Sequence, residues 1–129
     1  MSYDALNKYK QNSILTATPE ELTLMLYDGA IKFMNIGKYS IENKELEKAH
    51  TSLVRAQDII IELNYSLDMN QEISKGLREL YEFVLSKLVD ANINKDIKPI
   101  DEALDIVSEM RDTWREVVKQ IKQKVYQAK

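Results

Sequence analysis

The fold is decided by residues 19–43, PEELTLMLYDGAIKFMNIGKYSIEN. At about 100° per residue, the apolar side chains of this stretch cover an arc of roughly 260°, whereas a surface helix needs little more than 100°. They form two adjacent stripes, one with Leu22, Met25, Leu26, Gly29, Ala30, Phe33, Ile36 and Gly37, the other with Leu24, Tyr27, Ile31, Met34 and Ile41. So much apolar helix surface must be buried within the chain or kept for a partner.

The helix boundaries can be read from local signals. Thr18 precedes Pro19 and lies three residues before Glu21, which is the pattern of a capped helix start. Apolar periodicity predicts three further helices, from Asn43 or Lys44 to about Tyr65, from about Gln71 to Ala91, and from about Pro99 towards the C-terminus. We therefore predict an all-α fold, an antiparallel up-down four-helix bundle of residues 18–129, preceded by an extended or short-helical N-terminal segment of residues 1–17.

Composition excludes several classes of protein. A length of 129 residues suits one domain, and a net charge of −3 argues against a nucleic-acid partner. The chain has no Cys, so disulfides and thiolate metal sites are excluded. The sequence contains no apolar run of about 18 residues, so no membrane insertion is expected. Without a signal-peptide core near its start, the chain is expected to be cytoplasmic.

The sequence contains few residue patterns that suggest catalysis. Glu47-Lys48-Ala49-His50 has the Glu-x-x-His spacing of di-metal bundles, but the chain has a single His and cannot supply the second motif. We predict no metal site and no cofactor. Phosphate-binding loops and nucleophile elbows are missing from the sequence, so we predict that the protein is not an enzyme.

His50 also raises the alternative of a single-His phosphotransfer domain in a two-component pathway. The residues that follow it lack the Lys and Gly of such domains, and His50 falls between Leu46 and Val54 on an apolar arc. We predict that its imidazole is buried and hydrogen-bonded. Gln57 and Asn64 lie near the same line, where they would form a polar seam with His50 or polar groups at the base of a groove.

A set of motifs along residues 9 to 118 resembles a known family. The motifs are Tyr9-x-x-Asn12, the run from Thr16 to Leu22, the run from Leu24 to Ile31, Ala56-Gln57-Asp58-Ile59-Ile60 followed by Glu62-Leu63, Leu77-x-x-Leu80-Tyr81, and Arg111 three residues before Trp114. In this order and spacing they resemble FliS, the family of flagellin-specific export chaperones. The chain departs from the family at Met69-Asn70-Gln71, where many members have a Gly pair, and at Gly76, near a family Asn.

The resemblance implies a function as well as a fold. Members are cytoplasmic helical bundles that bind the C-terminal amphipathic segment of flagellin, prevent premature polymerisation and support export. They are also expected to engage the cytosolic domain of the flagellar export-gate protein, and they hydrolyse no nucleotide. Without the resemblance, the pattern alone indicates only a generic helical-bundle adaptor.

We place the flagellin-binding groove on the second stripe of the first helix and on neighbouring helices. The predicted contacts are Leu24, Tyr27, Ile31 and Met34, with Asp28 at the rim, and Ile60, Leu63, Leu80, Tyr81 and Val84. The stripe through Leu22, Leu26 and Phe33 is predicted to be core, with Trp114 as a core anchor. The competing interpretation is that each apolar contact residue is itself core.

The N-terminal segment is predicted to act as a groove cap. Its apolar residues Leu6, Tyr9, Ile14 and Leu15 suit a short amphipathic piece that covers the groove until flagellin displaces it. A groove left open without cargo would favour self-association of the chain.

Overall fold

The computed structural model describes residue 11 and residues 14–128. Four long helices account for most of them: α1 (Pro19–Glu42), α2 (Leu46–Tyr65), α3 (Ile73–Asn94) and α4 (Ile97–Ala128). Residues 14–16 are also helical, and no strand occurs within the described ranges. The predicted all-α class is confirmed. Within the same ranges, no helix combines the length and apolarity needed to cross a membrane.

The start of α1 has the predicted capping chemistry. The Thr18 hydroxyl accepts a hydrogen bond from the backbone N–H of Glu21 at 3.1 Å and lies 3.2 Å from the Glu21 carboxylate. At the other end, Asn43 caps the Tyr39 carbonyl, and Lys44 adopts a left-handed conformation with φ 58°. That backbone turn delays α2 to Leu46, two or three residues after its predicted start.

The boundary between α3 and α4 differs from the prediction. Helix α3 continues through Asn92 to Asn94 and ends where Lys95 takes a left-handed φ of 49°. The Lys95 ammonium donates to the carbonyl and the side-chain oxygen of Asn92, at 2.6 and 2.7 Å. Helix α4 then begins at Ile97, and Pro99 is tolerated because the first four N–H groups of a helix have no partner within it.

The helices contact one another in a closed ring. Helix α1 packs against α2 and α4, and α3 packs against the same two neighbours. Facing positions pair in reverse order along neighbouring helices: Gly29 with Ile59 and Gly37 with Leu53, His50 with Asn92 and Asn64 with Arg78, Glu21 with Lys122 and Lys38 with Asp101. Neighbouring helices of the ring therefore run antiparallel to each other.

The core lies at the centre of the ring and draws on all four helices. It contains Tyr27, Ala30, Met34, Leu53, Ala56, Ile60, Leu63, Tyr81, Val84, Leu88, Ala91, Ile100, Ala103 and Val107. The very wide apolar arc of α1 now has an explanation: Gly29 and Gly37 face α2, Asp28 and Lys38 face α4, and the residues between them face the centre.

The predicted division of α1 into a core stripe and a cargo stripe is wrong. Tyr27 and Met34, assigned to the cargo stripe, are 4% and 0% exposed. Leu22, assigned to the core, is 38% exposed, while Leu26 and Phe33 are half-buried residues that pack around the core. A helix that packs between two neighbours buries one side against each neighbour and a third, between them, against the core. On α1 the side that faces the core includes residues from both predicted stripes.

Two glycines should respond in opposite ways to the same substitution. A Cβ at Gly37 would lie 2.8 Å from Leu53 Cδ2, whereas a Cβ at Gly76 would meet no atom within 4 Å. We expect Gly37→Ala to destabilise the fold by about 1–3 kcal/mol through overpacking. Gly76→Ala should stabilise it by about 0.5–1 kcal/mol, because Ala loses less conformational entropy in a helix. Urea unfolding would measure both, and a change of the same sign in the two variants would contradict the close α1–α2 contact.

Candidate functional site

The ten residues predicted to bind flagellin fall into three groups by exposure. Six are buried: Tyr27, Met34, Ile60, Leu63, Tyr81 and Val84. Two are half-buried, Leu24 and Ile31, and two are exposed, Asp28 and Leu80. Six of the ten therefore do not line an open groove in this conformation, because their positions face the centre of the ring.

The two buried tyrosines join opposite helices of the ring. The hydroxyl oxygens of Tyr27 on α1 and Tyr81 on α3 lie 2.5 Å apart. Burial raises the pKa of Tyr27, although the hydrogen bond with Tyr81 partly opposes that shift. Burial also raises the pKa of Tyr81, and its hydrogen bond to Tyr27 raises it further. Both phenols thus stay protonated above the pH at which an exposed Tyr ionises.

This pair predicts a loss of stability at alkaline pH. Above about pH 10 the unfolded chain releases both protons while the folded chain keeps them, so folding takes up protons and becomes less favourable as the pH rises. The free energy of unfolding should fall as pH rises past 10, by up to about 1.4 kcal/mol per pH unit for each tyrosine. Chemical denaturation at successive pH values would measure the slope. In Tyr27→Phe the slope should be shallower, and an unchanged slope would contradict the proposed origin.

Asp28 belongs to a charged cluster that links α1 to α4. Its carboxylate lies 3.8 Å from Arg111 and 3.9 Å from Arg115, and Arg111 also donates to Asp112 at 3.0 Å. Nearby, the indole N–H of Trp114 donates to the backbone carbonyl of Glu20 at 2.9 Å. Trp114 also packs against the core, as predicted, and it holds the start of α1 on α4.

Leu80 lies on an exposed apolar line along α3. Ile73, Leu80 and Phe83 are 71%, 41% and 45% exposed, and with Gly76 they occupy positions i, i+3, i+7 and i+10 of one helix face. We call these four residues the α3 stripe. The open space beside Gly76 leaves a notch between Ile73 and Leu80.

An ion pair between α3 and α4 lies next to Phe83, at one end of the α3 stripe. The Lys87 ammonium lies 5.3 Å from the centre of the Phe83 ring and 2.8 Å from the carboxylate of Glu102 on α4. Ile73 and Phe83 were missed as candidate site residues. The available signal was the apolar arc of the third predicted helix, about 240°, which is wider than one packing seam requires.

His50 is exposed, and the prediction that it is buried is wrong. Leu46, one turn before it, is itself 54% exposed, so this line of α2 faces the edge shared with α3 and not the centre. The predicted hydrogen bonding is present, since the Asn92 amide donates to His50 Nδ1 at 2.9 Å. Asn64 accepts from Arg78 Nε at 3.3 Å further along the same edge. Within the part of the chain that the structure describes, no metal-binding group of His and carboxylates is found.

The structure describes only two of the four residues predicted to cap the groove. Leu6 and Tyr9 lie outside the described residues. Ile14 and Leu15 are 54% and 81% exposed, next to the start of α1.

The family model of FliS, described as flagellar protein FliS, matches residues 2–121 of this chain. The chain belongs to the FliS family. The flagellar secretion chaperone FliS of Bacillus subtilis (strain 168) is 42% identical over 110 residues, which cover 85% of this chain and 83% of that protein. The Vibrio cholerae chaperone of the same name is 29% identical and covers 88% of each chain.

A solved structure shares the fold of this FliS chain. The crystal structure of a flagellar chaperone from bacteria superposes with a TM-score of 0.73, covering 93% of this chain and 99% of the other at 20% identity. The family match and the Bacillus subtilis relative confirm the resemblance in the sequence motifs. FliS proteins are chaperones and not enzymes, so the phosphotransfer alternative for His50 is set aside.

Proposed function

We propose that this FliS chain is a cytoplasmic chaperone for the C-terminal amphipathic segment of flagellin. By covering that segment it prevents premature polymerisation, and it supports delivery to the cytosolic domain of the export-gate protein. Membership of the FliS family supports the cargo class. The observation that carries the proposal is the α3 stripe, a line of exposed apolar side chains on one helix of the ring.

The scaffold in this proposal is an antiparallel up-down four-helix bundle domain of residues 18–129, with residues 1–17 as a separate segment. The closed ring of helix contacts supports it, as does the reverse order of facing residues. In such a bundle, the grooves between adjacent helices are the natural place for an added helix.

The α3 stripe presents a continuous apolar helix face to a partner. Side chains at i, i+3, i+7 and i+10 follow one face of a helix and meet the apolar face of an amphipathic partner. Leu80 and Phe83 supply apolar area, and the notch at Gly76 has room for a side chain of the cargo. The Lys87–Glu102 ion pair lies at the end of the line, where it limits how far the bound segment extends.

The other predicted residues act from behind or beside this surface. Tyr81 and Val84 are buried next to Leu80 and Phe83 on α3, so they fix the helix that carries the stripe. Tyr27, Met34, Ile60 and Leu63 hold α1 and α2 in the same core. Leu24, Ile31 and the rim residue Asp28 lie towards α4, where they contact cargo that extends around the bundle.

Titration calorimetry with a flagellin C-terminal peptide of about 40 residues tests the proposal, because coupled folding and apolar burial give a large negative heat-capacity change. We expect saturable binding whose enthalpy becomes steadily more negative with temperature. Absence of binding would overturn the proposed cargo, and binding with no heat-capacity change would overturn the apolar mode of recognition.

The cap hypothesis yields a prediction for the N-terminal segment. If Leu6, Tyr9, Ile14 and Leu15 cover the cargo surface, binding must first displace them, which lowers the apparent affinity. Deleting residues 1–13 should therefore tighten binding of the flagellin peptide or increase self-association of the free chain. A control with Leu6 and Tyr9 both changed to Ser should reproduce the effect at full length. Unchanged binding and association in the deletion variant would rule the cap out.

A further inference from the structure

The C-terminal part of α4 extends past its neighbour α3. Lys87 pairs with Glu102, and α3 begins at Ile73, about four turns before Lys87. Because α4 runs antiparallel to α3, the same number of residues after Glu102 leads to Glu116, which lies beside the start of α3. Residues 117–128 therefore extend past the end of α3. This overhang is about 18 Å long at 1.5 Å per residue. Every residue from 119 to 128 is exposed.

The overhang is amphipathic and basic. Val118, Ile121 and Val125 lie on one face, and their exposure rises from 6% through 37% to 56% along the helix. With Thr18, Glu20 and Glu21 they line a groove of about 250 Å³. Lys122 and Lys124 flank this face, Lys122 lies 3.7 Å from the Glu21 carboxylate, and no acidic residue follows Glu116 in the sequence. The overhang therefore has the chemistry of a basic amphipathic helix, and within the described residues α3 lies beside none of it.

A second exposed apolar surface follows the contact edge of α2 and α3. On α2 the line runs through Leu46, His50, Val54, Gln57, Ile61 and Asn64, and on α3 through Arg78, Glu82, Leu85, Val89 and Asn92. Hydrogen bonds tie the two lines together near both ends. We call this surface the α2–α3 seam. Leu46, Ile61 and Val89 on it are 54%, 48% and 42% exposed, and the neighbouring Ile93 is 75% exposed.

Carboxylates border the seam. Glu47, Asp58 and Glu62 on α2 and Glu82 on α3 are all exposed. None of the four forms an ion pair with another residue of the described chain. From Leu46 to Ile61 the seam is about 22 Å long, enough for a helix of four turns.

We propose that the α4 overhang of one FliS molecule docks on the α2–α3 seam of a second copy. The overhang and the seam are about 18 and 22 Å long, each carries apolar side chains, and the lysines of the overhang complement the carboxylates that border the seam. Contact between two overhangs is disfavoured, because it would bring the lysines of both copies together. The proposed contact joins different surfaces of the two copies, so it leaves a free overhang and a free seam at the ends of the pair.

Sedimentation velocity of the full chain over a wide range of concentrations tests for this contact. We expect the weight-average sedimentation coefficient to rise with concentration at low salt and to rise less at high salt, where charges are screened beyond about 3–10 Å. Val125→Glu on the overhang and Ile61→Glu on the seam should each raise the dissociation constant by about tenfold or more, because each places a charge in an apolar contact. Gln123→Glu, on the opposite face of α4, serves as the control and should associate nearly as the parent does.

Mixing the two variants distinguishes a contact between an overhang and a seam from a contact between two identical surfaces. Val125→Glu keeps an intact seam and Ile61→Glu keeps an intact overhang, so together they should form a one-to-one pair that grows no further. Either variant alone should associate about tenfold or more weakly than the parent. A chain that stays monomeric at every concentration would overturn the proposal, as would variants that fail to complement. Circular dichroism of each variant, expected to match the parent, verifies that a loss of association does not reflect unfolding.

Discussion

Phe83→Asp should abolish binding of the flagellin C-terminal peptide while the bundle remains folded. Phe83 is 45% exposed on the α3 stripe, so a carboxylate there stays in water in the free protein but must be desolvated under an apolar cargo helix. Aromatic residues at the centre of an interface often contribute 2 kcal/mol or more, which is about a 30-fold change in affinity. The same calorimetric titration would measure the loss.

Val89→Asp is the matched control for that experiment. Val89 is 42% exposed on the same helix but lies towards α2, on the seam, so its change should spare cargo binding. It should instead weaken self-association. Equal loss of cargo binding in the two variants would mean that the cargo does not distinguish the two sides of α3, and the α3 stripe would then be misassigned.

Met34→Ala should have the largest effect on stability among the predicted site residues. Met34 is 0% exposed in the central core, and truncating such a side chain to Ala usually lowers the free energy of unfolding by about 2–5 kcal/mol. For a chain of this size the melting temperature should fall by roughly 10 °C or more. Below that temperature the affinity for the flagellin peptide should be unchanged, because Met34 supports the bundle and does not touch cargo in this proposal.

Asn35→Ala controls for the position on α1. Asn35 is exposed one residue further along, and its truncation should alter stability by no more than about 0.5 kcal/mol. If Met34→Ala melted like the parent but lost cargo binding, Met34 would have to be accessible. The buried residues of the groove predicted from the sequence would then be the surface that contacts flagellin.

Some of the architecture follows from short-range chemistry and was therefore predictable. The start of α1 depends on Thr18, Pro19 and Glu21, which interact within one turn, and the structure shows that cap. The all-α class follows from periodicity that is likewise local. The ends of α3 and α4 were less predictable, because Lys95 stops α3 through a left-handed backbone and its own bonds to Asn92.

The candidate site was harder to predict, for a physical reason. Helical periodicity gives the angle between two side chains but not which neighbouring helix lies at that angle. Tyr27 and Leu22 both look apolar, yet Tyr27 faces the centre and Leu22 is 38% exposed. Likewise, nothing in the local pattern separates the exposed Phe83 from the buried Val84, because that difference arises from the position of α4.

The bond from Trp114 to Glu20 has a practical consequence. The chain contains one tryptophan, and its indole joins α4 to the first turn of α1. Intrinsic fluorescence therefore reports on a single place, the junction between the N-terminal segment, the first helix and the base of the overhang. Movement of the segment, arrival of a second copy and fraying of the first helix would each change the emission of this residue without any added label. The native sequence thus provides its own spectroscopic probe where the proposed events meet.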